Sequence, residues 1–124
     1  MLVLGALALS TLPKFHYVSN DTSLDSHHEF GRQLGAQFSA TIGKRFHGNP
    51  GTAKMLATAN TSQGASLYEK FYALHGREYP AAMSELRGLA EGSGISFEGL
   101  FLQNIRNECA PRAARIPPMP TPPP

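Results

Sequence analysis

A chain of 124 residues and 13.4 kDa has room for one small domain, which excludes an enzyme built around a cleft between two lobes. Hydrophobic residues at 41% against 16% charged place it among globular rather than disordered sequences. A net charge of +2 with no run of Lys and Arg argues against a nucleic-acid partner, and the single cysteine, Cys109, excludes an internal disulfide framework and any multi-cysteine metal site.

Residues 1–14 form an apolar N-terminal segment. Its run MLVLGALALSTL is about half the length needed to cross a bilayer, so no membrane span is expected. It has the apolar stretch of a secretory signal, yet no Lys or Arg precedes that stretch, and Ala6-Leu7-Ala8 falls early for a cleavage site. A cytoplasmic and a secretory location both stay open, and the sequons at Asn20 and Asn60 matter only for a secreted chain.

Residues 15–109 read as a mostly helical region. Phe15-His16-Tyr17-Val18, closed by Ser19-Asn20-Asp21, has the aromatic and β-branched character of a short strand before a turn. Ser26 and Glu29 have capping-box spacing, and behind them Phe30, Leu34, Phe38, Ile42 and Phe46 recur every four residues as one helical stripe. Gly31 and Gly35 lie beside that stripe. A glycine inside a helix costs about 1 kcal/mol relative to alanine, so close approach of another element is expected there. After the turn at Gly48–Gly51, Ala53–Ala59 forms a short helix, broken over Asn60–Gly64. Leu67, Tyr68, Phe71, Tyr72 and Leu74 mark a further amphipathic helix stopped by Gly76. Pro80 opens the next helix, whose apolar face is Met83, Leu86, Leu89 and Ala90 and whose wet face is Glu85, Arg87 and Glu91. Ser96 caps the last helix, with Glu98 near its N-terminal dipole.

Gly92-Ser93-Gly94 follows a helix rather than a strand and lacks a Lys-Ser or Lys-Thr pair behind it. It therefore reads as a turn, with Gly92 or Gly94 supplying a left-handed helix end, and not as a phosphate cradle. His27-His28-Glu29 cannot converge on one ion, because neighbours on a helix point about 100° apart, and it reads as a solvated first turn. His16, His47 and His75 read as surface residues. Cys109, with Arg106 and Arg112 as its basic neighbours, reads as an ordinary thiol at a helix end. Residues 110–124 cannot form a helix or a central strand, so a disordered, solvated Pro-rich tail is expected.

Three segments in order carry a resemblance: His28-Glu29-Phe30-Gly31-Arg32-Gln33-Leu34-Gly35; Tyr79-Pro80 leading to Glu85-Leu86-Arg87-Gly88-Leu89-Ala90-Glu91-Gly92-Ser93-Gly94-Ile95-Ser96-Phe97; and Leu102-Gln103-Asn104-Ile105-Arg106-Asn107-Glu108. Together they resemble the N-terminal part of the acyl-coenzyme A:6-aminopenicillanic-acid (isopenicillin N) acyltransferase family, over roughly Phe15 to Glu108. The resemblance implies an autoproteolytic N-terminal-nucleophile hydrolase of αββα layering. In such a protein a Cys freed by self-cleavage attacks an amide or thioester carbonyl, with its own α-amine as base. Cys109 comes earlier than the family's nucleophile, and Cys109–Pro124 is too short to build a sheet or an oxyanion hole. No catalytic, cofactor-binding or metal-binding residue is therefore carried over, no cofactor is implied, and Arg106 falls on the family's pocket wall without an assigned role.

The expectation is a fragment of that αββα fold, with four or so short helices, a short N-terminal strand and a Pro-rich tail. It is a truncated relative, inactive alone because the nucleophile and the sheet-bearing part are missing. Helix stripes deprived of a sheet must pack on one another or stay exposed, which allows self-association through apolar helix faces. The competing reading is a small helical binding module whose Pro-rich tail recruits a partner.

Overall fold

The computed structural model describes residues 13–109, which form six helices: α1 (Leu24–Gln37), α2 (Ser39–Gly48), α3 (Pro50–Ala59), α4 (Ser62–Glu78), α5 (Pro80–Ser93) and α6 (Phe97–Cys109). No strand occurs among the described residues, which corrects both the expected N-terminal strand and the expected αββα fragment. The apolar N-terminal run and the Pro-rich tail lie outside them.

Phe15–Val18 keeps the alternation of a strand but has no strand to pair with. Phe15 and Tyr17 turn inward onto the Phe30 ring of α1, edge to face at 5.4 and 5.3 Å, while His16 and Val18 face solvent. The partner is a helix, and a helix offers no free backbone groups for a ladder. The segment is instead pinned by side chains. Tyr17 Oη donates to the Ser26 carbonyl at 3.1 Å, and Gln37 Nε2 donates to the Lys14 carbonyl at 2.7 Å.

The stripe from Phe30 to Phe46 does not lie on one helix. Residues four apart rotate about 40° past a full turn, so five of them sweep about 160° and cannot all face one partner on a straight axis. Phe38 leaves helical geometry at φ −106°, ψ 19°, and separates α1 from α2. The redirected α2 carries Ile42 and Phe46 onto Leu89, Ala90, Ile95 and Leu100.

The cap of α1 also differs from expectation. Ser23 is the N-cap, accepting from the Ser26 amide, while the Glu29 carboxylate is held by Arg32 and Gln33 instead of reaching back to the helix start. Gly76 does not stop α4, which runs on to Glu78. The turn before α6 follows the sequence: Gly94 adopts φ 78°, and Ser96 Oγ accepts from the Gly99 amide at 3.1 Å.

Two apolar clusters share α5 and α6. Met83, Phe101, Leu102, Ile105 and Ala59 form one, flanked by Tyr68, Phe71 and Tyr72 of α4; Phe46, Ile95 and Leu100 form the other. Within the core, Thr52 is 5% exposed and its hydroxyl accepts from Gln103 Nε2 at 2.8 Å. Among the described residues no buried side-chain polar atom lacks a hydrogen-bond partner. The helix stripes thus pack largely on one another, leaving Val18, Leu24, Leu74 and Tyr79 as the large exposed apolar side chains described.

Candidate functional site

The seam between α1 and α5 brings two helix backbones into direct contact, and four glycines allow it. Gly31 and Gly35 of α1 face α5, and Gly88 and Gly92 of α5 face α1. A Cβ at Gly31 would collide with the Glu85 carbonyl, one at Gly88 with the His28 carbonyl and one at Gly92 with the Arg32 carbonyl. At Gly35 it would lie 2.5 Å from the Leu89 carbonyl oxygen. Without side chains at these points the backbones touch directly, gaining dispersion contact and short Cα–H···O approaches. The helices run parallel. Ser84 Oγ donates to the Leu24 carbonyl at 2.6 Å where both begin, and Gly35 meets Leu89 and Ser93 where both end.

Close approach was legible for Gly31 and Gly35. Their partners, Gly88 and Gly92, repeat the same four-residue spacing, and of the two residues the sequence offers for the left-handed helix end, Gly92 and Gly94, Gly94 takes it.

Charged side chains line the edges of the seam. His27 Nδ1 lies 3.7 Å from Glu85 Oε2, and His28 Nε2 lies 3.0 Å from Glu91 Oε2. Both histidines stay partly exposed, and Glu85 and Glu91 remain on the wet face of α5, with side chains 41% and 60% exposed, while each lies beside a histidine. The two pairs are separate, and no group of three or more His, Cys, Asp or Glu suited to a metal ion occurs among the described residues.

Glu29 has the strongest perturbation. Its carboxylate accepts from Arg32 Nε at 2.8 Å, Arg32 Nη2 at 2.6 Å and Gln33 Nε2 at 2.9 Å. The Arg32 hydrogen bonds, then that from Gln33, lower its pKa from 4.5 to about 2. A depressed folded-state pKa contributes stability that is present above the unfolded value and is lost as pH falls through the folded one. Glu29→Gln should therefore lower the urea midpoint near neutral pH, with the difference from the parent shrinking as pH falls below about 4.5 and lost below about 2. High salt should reduce it, because the pair is exposed. A difference unchanged down to pH 2 would show that the ion pair is not its source.

Beside the seam lies a groove of about 460 Å³. Gly31 and Leu34 of α1, Leu86 and Leu89 of α5, and Phe101 and Asn104 of α6 line it, with His75 of α4 and Tyr79 at the junction between α4 and α5. His75 is half-buried in the groove lining rather than fully exposed. Its ring stands edge-on to Phe101 at 5.3 Å and to Tyr79 at 5.5 Å, whereas His16 and His47 are exposed as expected. The lining is chiefly apolar and aromatic, with His75, Tyr79, Glu85 and Asn104 as its polar side chains. Arg106 is exposed in the last turn of α6, and Cys109 is the last residue of that helix.

Comparison with protein-family models, curated proteins and solved structures finds no match to the chain. Among the described residues no helix is long and apolar enough to cross a membrane.

Proposed function

We propose that the chain is the helical N-terminal portion of a penicillin acyltransferase-like, autoproteolytic acyltransferase or amidohydrolase, and that it is inactive by itself because its residues do not include the nucleophile. One observation supports this reading above others. The two segments that carry most of the resemblance, His28–Gly35 and Glu85–Gly94, are the two sides of the glycine seam, so the shared pattern coincides with a demanding contact and not with scattered surface positions. The third segment, Leu102–Glu108, lies in α6, whose Leu102 and Ile105 are buried in the core beside α5.

The intact mass of the endogenous product, captured with an antibody to residues 81–99, tests this. A longer precursor, or a small chain ending just before a cysteine encoded beyond Pro124, is the expected result. A product of 13.4 kDa that releases a sixteen-residue peptide beginning at Cys109, and loses that cleavage in Cys109→Ala, would overturn it.

The satisfied core favours a second reading, a self-standing helical binding module with a Pro-rich tail. Single cooperative unfolding of the isolated chain supports the module; a broad transition with dye-binding apolar surface supports the fragment.

A further inference from the structure

We propose that the groove beside the seam is the docking site of this chain's own proline-rich segment, residues 111–124, folding back from the end of α6. Position, reach, surface chemistry and charge each support that occupant.

Helix α6 runs back along α5. Near its start, Phe97 sits under the Arg87 guanidinium at 5.3 Å, and further on Asn104 shares the groove wall with Tyr79. Its C-terminus therefore emerges at the end where α5 begins, and Cys109 lies about 8 Å of helix beyond Asn104. The part of α5 that lines the groove, from Ala82 to Leu89, is about 11 Å long. A proline-rich stretch of residues 111–124 extends to about 43 Å, so it can turn back and still cover that length.

Extended proline-rich segments seat on rows of aromatic rings, because they lose little conformational entropy and present flat apolar faces. Two such rings stand together on the groove wall, where Tyr79 is 58% exposed and its ring lies 5.5 Å from that of the half-buried His75. Glu85 is the charged residue of the groove lining, with no Lys or Arg beside it there. The tail supplies Arg112 and Arg115 and contains no acid, so either arginine can approach the Glu85 carboxylate. The other apolar segment outside the described residues, Met1–Leu12, has neither proline nor a charged side chain and would cover Glu85 without a side-chain counter-charge.

The test uses the full chain with its methionine methyl groups labelled with carbon-13, because Met83 lines the groove and Met119 lies in the tail. The expected result is a Met119 methyl with nuclear Overhauser contacts to the Tyr79 ring and the Met83 methyl, unchanged on dilution. Those contacts should be lost in Arg112→Glu/Arg115→Glu and in Glu85→Arg, and regained when the three changes are combined. The tail substitutions lie outside the six described helices, so helicity in Arg112→Glu/Arg115→Glu should match the parent by circular dichroism. A Met119 methyl without contacts to the groove overturns the proposal, as do contacts from Met1 in its place, which would make the N-terminal segment the occupant. Contacts that fade on dilution overturn it in favour of a second copy of the chain. Retained helicity without recovery in the combined variant removes the charge pairing on which it rests.

Discussion

Placing one methyl group at Gly88 should destabilise the chain by about 2 kcal/mol, whereas the same change at Gly76 should stabilise it by about 1 kcal/mol. Both glycines lie inside helices, where alanine is preferred by about 1 kcal/mol, so local propensity predicts the same gain at each. Their surroundings reverse the sign at one of them. A Cβ at Gly76 meets nothing within 4 Å, while at Gly88 it collides with the His28 carbonyl and comes within 2.8 Å of the Arg32 amide nitrogen. These are backbone atoms of a helix and cannot swing aside as a side-chain tip would, so α1 and α5 must separate along their length. Gly31→Ala should behave like Gly88→Ala. The double variant should lose less than the sum, since both force open one seam. Urea midpoints followed by far-ultraviolet circular dichroism measure this, and a Gly88→Ala midpoint above the parent's would mean that the seam is not close-packed in solution.

The seam also shows why part of the fold was legible in the sequence and part was not. Helix existence follows from local pattern, and α3 to α6 lie close to where apolar periodicity, Pro80 and Ser96 put them. Gly31 and Gly35 advertised a close contact because nothing local repays a helical glycine. What local pattern could not supply was the partner. Gly88 and Gly92 carry the same spacing, but Gly92 stands two residues before Gly94, and either could have ended the helix; only the positive φ at Gly94 separates their roles. The break at Phe38 was hidden for a related reason. Its backbone N–H still bonds the Leu34 carbonyl at 3.1 Å, so no local signal is lost, and the bend exists because α2 finds Leu89, Ile95 and Leu100 to cover. Likewise Phe15 to Val18 showed correctly which residues face inward, but alternation says nothing about whether the surface they meet is a sheet or a helix.

The groove was the least legible feature, because its walls come from four helices distant in sequence. Glu85 and His75 were each read from their own helix as water-facing. The fold places one at the edge of the seam and the other among aromatic rings, and both line the same depression. A surface of this kind appears only after chain segments some forty to seventy residues apart, Gly31 to Asn104 at the extreme, have been brought together.

Phe101→Ala should produce the largest single loss, about 3–5 kcal/mol. Phe101 is 1% exposed and is the hub of the aromatic cluster, with ring centroids of His75 at 5.3 Å, Tyr68 at 5.4 Å, Phe97 at 5.9 Å and Tyr72 at 6.1 Å. Removing it takes a large apolar surface out of the core and leaves a void that its neighbours fill poorly, because each is fixed from another side. Tyr72, for example, accepts from Arg87 Nη2 at 3.0 Å. Against a total stability of about 5–15 kcal/mol for a natural domain, the loss would leave the fold close to half unfolded at the low end of that range. Phe101→Leu keeps much of the volume and should lose clearly less, so the gap between the two variants measures the cavity rather than the loss of aromatic pairing. Thermal unfolding read at 222 nm, with dye binding to detect exposed apolar surface, distinguishes the outcomes. If Phe101→Ala lowers stability by less than about 1 kcal/mol, the ring is not buried as placed, and α4, α5 and α6 do not share a core.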